Sequence, residues 1–390
     1  MSVQSFFATC PRGLETPLAA ELADCGAREI RPTGGGAHFR GNLAVCYRAN
    51  LESRIATRIL WRMAEAPYCN EQDVYDAAHA VDWPSRFRVD RSIRVDVNAI
   101  RSPLRSLEFA TLRIKDAACD RFRAAMGARP DVDTRTPDVR IHAFLDTRTI
   151  TLYLDTSGEP LYKRGWRTRT GEAPLKENLA AGIIGLAGWR GNEPFLDPMC
   201  GGGTILLEAA AIALGIAPGS RREFGFERLE GFDAQLWREL RECAKARENR
   251  GRPVAIFGAE LYGAELAKAR EAIEAAGLDR VVRLKQANLL ELSPPAPAGV
   301  MVANPPYGVR IGEDAKLAAF YPRLGDALKA RFAGWRCCFL TADLRLARLI
   351  GLKASKRTPL FNGPLECRLF EYRIVAGGMR RASPASPGAL

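Results

Sequence analysis

The strongest constraint in this chain is a regular strand–helix rhythm that begins near Thr170. An apolar helical stretch at 175–189 leads to a short strand ending at Asp197, and a helix follows over 204–214. A strand at 254–258 precedes a helix at 265–276 closed by Gly277. Residues 281–285 and 299–303 read as strands, then a helix at 317–331 and a strand at 336–340. Parallel strands need long crossover connections, so strands alternating with helices of this length predict a doubly wound, mostly parallel α/β sheet. Near the end, Asn362-Gly363 separates strand-like runs at 358–361 and 367–372, a hairpin signal that adds an antiparallel pair. The stretch 216–250 interrupts the rhythm and reads as an insertion, helical in its second half and without an assignable function.

Before Thr170 the pattern is different. Short alternating runs at 92–97, with Ile93, Val95 and Val97 on one face, and at 140–145 read as half-buried strands. Helical stretches at 18–24 and 107–126 lie between and before them, which predicts small α+β modules. A chain of 390 residues, 47% hydrophobic and 26% charged, has room for two or three globular domains. The net charge of +12 favours a polyanionic partner such as nucleic acid, although solubility alone would also account for it. Ten scattered cysteines without a C-x-x-C, and no signal peptide at the N-terminus, read as reduced core thiols in a cytoplasmic protein. His38, His79 and His142 lie far apart in sequence, so no metal site is expected. The longest apolar runs, 179–189 and 205–216, are too short to span a bilayer. A tail at 381–390, rich in Ser, Pro and Gly, reads as disordered.

The segment Phe195-Leu196-Asp197-Pro198-Met199-Cys200-Gly201-Gly202-Gly203-Thr204 combines a strand end, an acid, a Gly-rich turn and a helix start. Ligands of doubly wound sheets bind beyond the carboxyl ends of strands, where glycines let backbone N–H groups approach closely. Thr204 can cap the helix or bond to a ligand carboxylate at its N-terminus. Asp197 ahead of the glycines would repel a pyrophosphate, so the turn suits an amine-bearing or cationic ligand. S-adenosylmethionine carries both an amine and a sulfonium. One strand later, Glu260-Leu261 places an acid where two ribose hydroxyls are accepted, though a glutamate there would be charged and exposed in any case. After the third strand, Asn288-Leu289 occupies the position for adenine recognition; the Asn288 amide could equally cap a turn.

The apolar run at 300–303 enters Asn304-Pro305-Pro306-Tyr307 directly. Two prolines fix φ and remove two backbone donors, leaving carbonyls and the Asn side chain as a rigid array of acceptors. The Asn304 side-chain oxygen and the Pro305 carbonyl could hold the two N–H bonds of a planar amine and aim its lone pair at a methyl donor. Tyr307 offers a stacking face for a flat substrate. Asn304, Pro305, Pro306 and Tyr307 are therefore the candidate catalytic residues. Asp197, Pro198, Gly201, Gly203, Thr204, Glu260, Leu261, Asn288 and Leu289 are the candidate cofactor-binding set.

With these two motifs the chain resembles class I methyltransferases that modify planar amino groups. Phe6-Phe7-Ala8-Thr9-Cys10-Pro11-Arg12-Gly13-Leu14-Glu15, Arg113-Ile114-Lys115-Asp116-Ala117, Arg129-Pro130-Asp131-Val132-Asp133 and Arg164-Gly165-Trp166-Arg167 are similar to segments of THUMP-containing N2-guanine RNA methyltransferases. The similarity extends over nearly the whole chain, and is best to bacterial large-subunit ribosomal RNA guanine-N2 methyltransferases, in a short form without their fused second methyltransferase domain. The resemblance implies a ferredoxin-like region at 1–70, a THUMP domain at 71–155 and a Rossmann-like class I methyltransferase domain at 156–380. It implies S-adenosylmethionine as cofactor and 23S rRNA as partner, with tRNA, or N6-adenine in nucleic acid, as alternative substrates. One departure is the third-strand position, often acidic in relatives, where this chain has Asn288.

Between Arg86 and Arg123 there are ten Lys/Arg against five Asp/Glu, and Lys163, Arg164 and Arg167 follow with Tyr162 and Trp166 interleaved. Arg86, Arg88, Arg101, Arg105, Arg113, Lys115, Lys163, Arg164 and Arg167 are thus candidate RNA contacts. Some of these are expected to be no more than solvated helix faces.

Overall fold

A computed structural model describes residues 3–166, 175–305 and 313–376. It forms two compact units: Met1–Leu186 with Ala211–Arg252 and Leu360–Pro364, and Ala187–Ala210 with Pro253–Pro359 and Leu365–Leu390. These cuts differ from the sequence domains expected, because residues before Leu186 and the 211–252 segment cluster with the N-terminal half.

The first unit runs β1 (Gln4–Thr9), α1 (Glu15–Asp24), β2 (Arg28–Thr33), β3 (Gly36–Gly41), α2 (Leu43–Glu52), β4 (Arg58–Pro67), α3 (Glu71–His79), β5 (Ile93–Ala99), α4 (Leu107–Met126), β6 (Val139–Leu145), β7 (Thr149–Asp155) and α5 (Glu177–Leu186). Its strands make one sheet in the order β2-β3-β1-β4-β7-β6-β5. The small modules therefore share a sheet, because β4 pairs with β1 on one side and β7 on the other. One face is apolar: Phe6, Phe39, Trp61, Ile141, Ala143, Leu152 and Leu154 alternate with more polar neighbours and are buried. Helix α4 spans the expected 107–126. Ser106 caps its start by accepting from the Phe109 N–H at 3.1 Å, and Gly127 closes it at φ 72°. Helix α5 approaches α1 closely at Gly182, where a Cβ would stand 2.4 Å from Leu14 Cδ1.

The second unit contains β8 (Phe195–Asp197) and the start of α6 (Thr204–Ala213). The insertion that follows contributes α7 (Ala234–Ala246) to the first unit. There Phe226 stacks on Tyr47 of α2 at 4.3 Å, and Trp237 meets Phe226 edge-on at 5.0 Å. This aromatic cluster gives the insertion a packing role that its sequence did not disclose.

The second unit continues with β9 (Ile256–Glu260), α8 (Gly263–Ala276), β10 (Val282–Gln286), β11 (Gly299–Ala303), α9 (Glu313–Arg331), β12 (Trp335–Thr341), α10 (Leu346–Leu349), the start of β13 (Lys356–Asn362) and β14 (Leu365–Arg373). Strand order is β10-β9-β8-β11-β12-β14-β13. The strands from β10 to β12 are parallel, and β14 runs antiparallel to β12. This is the doubly wound α/β sheet expected, with the terminal hairpin. Among the described residues no helix is long and apolar enough to cross a membrane. All ten cysteines are free. Eight are buried, while Cys69 and Cys243 are exposed and so are not the core thiols expected.

Candidate functional site

Register explains how the second unit makes a crevice. Strand β8 is the point at which chain order reverses across the sheet, with β9 on one side and β11 on the other. Asp197, its last residue, is level with Gly258 of β9. Leu196 is level with Met301, so the same register sets Asp197 beside Val302. Glu260 and Asn304 each lie two residues further along their strands, roughly 6–7 Å beyond the acid at about 3.3 Å per residue. Asp197 and the glycine turn thus form a floor between walls that end in Glu260 and Asn304.

The floor is tightly built. Cys200 N–H donates to the Ala259 carbonyl at 3.0 Å, and Gly203 N–H to the Cys200 carbonyl at 2.8 Å. Gly201 and Gly203 adopt φ of 48° and 79°, which glycine reaches without strain. A Cβ at Gly203 would stand 3.3 Å from Ala269 Cβ, so the turn lies hard against α8, whereas a Cβ at Gly201 would meet nothing within 4 Å. Gly201 therefore faces open space in which a ligand can approach the backbone. Pro198 is buried, and Thr204 is the buried first residue of α6.

Asp197 is buried, and its Oδ1 accepts from Met199 N–H at 3.2 Å. Its Oδ2 is also buried and has no hydrogen-bond partner among the described residues. Burial, followed by the nearby Glu260 charge, pushes its carboxyl up to about 8. A buried acceptor without a donor is the place for a cationic amine, and the fit with the amine-bearing ligand expected from sequence is good.

Glu260 is already engaged. Gly201 N–H donates to its Oε2 at 2.9 Å, and Leu261 and Tyr262 N–H donate to Oε1 at 2.9 and 3.1 Å. A carboxylate has about four acceptor positions, so a ribose diol bound to both oxygens would displace at least one of these bonds.

The remaining positions are mixed. Asn304 is half-buried and Pro305 buried at the tip of β11, while Pro306 and Tyr307 lie outside the described residues. Asn288 spends its side-chain oxygen on the Leu290 N–H at 3.0 Å, the turn-capping alternative to adenine recognition. Leu289 packs into the core beneath the sheet, and Leu261 is exposed on the rim.

Two features of this edge escaped the sequence reading. Tyr262, exposed beside Leu261, adds a flat apolar surface next to Glu260, and its only signal was an aromatic two residues past the strand-tip acid. Beyond β12, Asp343 accepts from Arg345 Nη2 at 2.8 Å and from the Tyr321 hydroxyl at 3.2 Å. The Arg345 hydrogen bonds hold the Asp343 carboxyl below its ordinary range.

In the first unit the candidate RNA contacts separate by their neighbours. Arg164 is buried, donating to the Leu161 carbonyl at 2.7 Å and the Arg54 carbonyl at 2.5 Å. It is a structural cation and not a surface contact, which corrects the expectation. Trp166 is buried as well, so it offers no stacking face. Arg86 lies over the Trp61 ring at 5.0 Å; Arg88 pairs with Asp90, Lys115 with Asp116 and Lys163 with Glu159. Arg113 lies over Tyr75 at 4.3 Å and donates to Gln72. Arg101 and Arg105 are exposed in the loop after β5, and Arg167 lies outside the described residues.

Residues 164–371 match the RMKL-like methyltransferase domain family, 68–155 the THUMP domain, and 5–60 the RlmL ferredoxin-like domain. The ribosomal RNA large subunit methyltransferase K/L of Aeromonas hydrophila is 42% identical over 96% of this chain and 55% of its own length. The chain thus spans about half the length of the curated relatives it matches. Among solved structures, SMU.472, a putative methyltransferase complexed with SAH, superposes with a TM-score of 0.88 at 30% identity, covering 96% of this chain and 99% of its own. A predicted N6-adenine-specific DNA methylase from Listeria monocytogenes has a TM-score of 0.87 at 28% identity, covering 96% and 97%.

Proposed function

Because the chain belongs to the RMKL-like methyltransferase family, we propose that it moves a methyl group from S-adenosylmethionine to the exocyclic N2 amine of a guanine in 23S ribosomal RNA. The observation that carries this reading is the crevice at β8, with a buried acid on its floor whose Oδ2 has no partner among the described residues, and Asn304-Pro305 on its wall. In this reading the three domains divide as 1–70, 71–155 and 156–380, and the reaction takes place in the cytoplasm. The K/L relatives' names support rRNA as substrate, and SAH in SMU.472 supports the cofactor.

Asp197 would hold the cofactor amine and Glu260 its ribose hydroxyls, while Gly201 lets the backbone approach. When bound, the cofactor supplies an electrophilic methyl group on a sulfonium. The Asn304 side-chain oxygen and the Pro305 carbonyl accept the two N–H bonds of the target amine, which directs its lone pair toward that methyl. Positioning of this kind is worth several kcal/mol of a transfer barrier, on the order of 10²-fold or more in rate. The N-terminal domains bind the RNA that carries the base.

The name of the Listeria protein favours a second reading, N6-adenine, which presents the same planar amine. Nucleoside mass spectrometry of RNA and DNA methylated in vitro separates the two. N2-methylguanosine in 23S rRNA is expected, and N6-methyladenine as the only product would refute the guanine assignment. Asn304→Ala should reduce transfer by at least about 100-fold while leaving the cofactor Kd within about threefold. Full activity in that variant would remove Asn304 from the mechanism.

A further inference from the structure

Of the cofactor's groups, adenine is the one left without a partner in the crevice. Asn288, the position expected from sequence, turns its side-chain oxygen back on the Leu290 N–H at 3.0 Å. That bond caps its own turn and aims the amide away from a ligand.

Strand order says where the base falls. In S-adenosylmethionine the amine, the ribose and the adenine follow one another along the molecule. Asp197, the acid for the amine, ends β8, and Glu260, the acid for the ribose hydroxyls, ends β9. Strand β10 comes next, about 4.8 Å beyond β9. Its last residue, Gln286, is level with Glu260 in the parallel register. Registered neighbours point to one face of a sheet, so Gln286 stands on the face that carries Glu260. Asp197 is on that face too, being level with Gly258, two residues before Glu260.

The Gln286 amide is already oriented. Its Nε2 donates to the Leu261 carbonyl at 3.1 Å. Only the amide nitrogen can donate there, so Oε1 is the end left for a ligand, and among the described residues it accepts nothing. Gln286 is exposed, and so are Leu261 and Tyr262, at 49% and 67%. An aimed acceptor and two bare apolar side chains thus lie together beside Glu260. A purine with an exocyclic amine matches them, with a flat face for the side chains and an N–H for the oxygen.

We propose that Gln286, and not Asn288, reads the cofactor's adenine, its Oε1 accepting from the N6 amino group while Leu261 and Tyr262 cover the ring. The inference rests on the cofactor reading above.

The test measures by calorimetry the Kd of the full chain for S-adenosylhomocysteine and for S-inosylhomocysteine, which carries a carbonyl in place of the amino group. An acceptor facing an acceptor forfeits the hydrogen bond, so the parent should bind the inosyl compound about tenfold more weakly. Gln286→Ala should bring that ratio to within about twofold of unity. Asn288→Ala should leave it at the parental value. Damage shared by both ligands cancels in the ratio, so a loosened turn does not imitate the effect. A parental ratio in Gln286→Ala makes the amide no more than a tie between β10 and the Leu261 carbonyl, and overturns the inference alone. So does a ratio lost in Asn288→Ala, which returns the role to the position expected from sequence, or a parent that binds both compounds alike. A parent chain that binds neither compound overturns the inference together with the cofactor reading beneath it.

Discussion

Asp197 provides the most demanding test of the crevice. With its carboxyl at about 8, the acid is mostly protonated at neutral pH in the absence of ligand. A cationic amine placed against Oδ2 favours the carboxylate, so binding releases a proton. Affinity should then rise about tenfold per pH unit, or about 1.4 kcal/mol, as long as pH stays below the value for the ligand-free protein. From about pH 5.5 to 7, below the range in which an α-amine loses its own proton, the Kd for S-adenosylmethionine should fall roughly 30-fold. Calorimetry in buffers of small and large ionisation enthalpy reads the released proton directly. Asp197→Asn keeps the shape without the titration, and its affinity should be flat over the same interval. A flat profile for the parent, with no dependence on buffer, would refute the pairing. Stability supplies an independent check. Between about 4 and 8 the folded acid keeps a proton that the unfolded chain has lost, so without ligand stability falls as pH rises through that window. Asp197→Asn removes that slope from urea unfolding.

Two further outcomes separate packing from chemistry. Arg164→Ala leaves the carbonyls of Leu161 and Arg54 buried without their donor, and should cost about 2–4 kcal/mol in urea unfolding while leaving the salt slope of RNA binding unchanged. Gly203→Ala combines φ 79° with the 3.3 Å approach to Ala269, and should cost about 1–2 kcal/mol of stability.

The strand–helix rhythm after Thr170 was legible because periodicity is local, and β11 and α4 begin and end where their apolar patterns and caps do. What the sequence leaves out is pairing between distant segments. Strand β9 runs two residues later than its apolar run suggests, because Phe195 of β8 pairs with Ile256. That shift carries Glu260 into the last strand position. The union of the N-terminal modules depends on β4 meeting β7 across a long separation in sequence, which no pattern around residue 70 records. Arg164 was read as a surface cation for the same reason: its charge is visible in sequence, but the two carbonyls that bury it are not.

The acid before the glycines carries a different charge in the fold from the one its sequence suggests. In sequence Asp197 is an anion that excludes pyrophosphate. In the fold β8 stops early, and on either side of it β9 continues two residues further and β11 one. Those walls remove water from the carboxylate, and one of them carries Glu260, whose charge adds to the shift. A carboxyl that is neutral until a cation arrives discriminates between ligands more sharply than a permanent anion, because an uncharged analogue gains nothing by ionising it. The same geometry accounts for Glu260, which spends its oxygens on Gly201, Leu261 and Tyr262 and so keeps the turn shaped around the acid. In the proposed reading, cofactor selectivity in this crevice follows from the length of one strand as much as from the residues at its end.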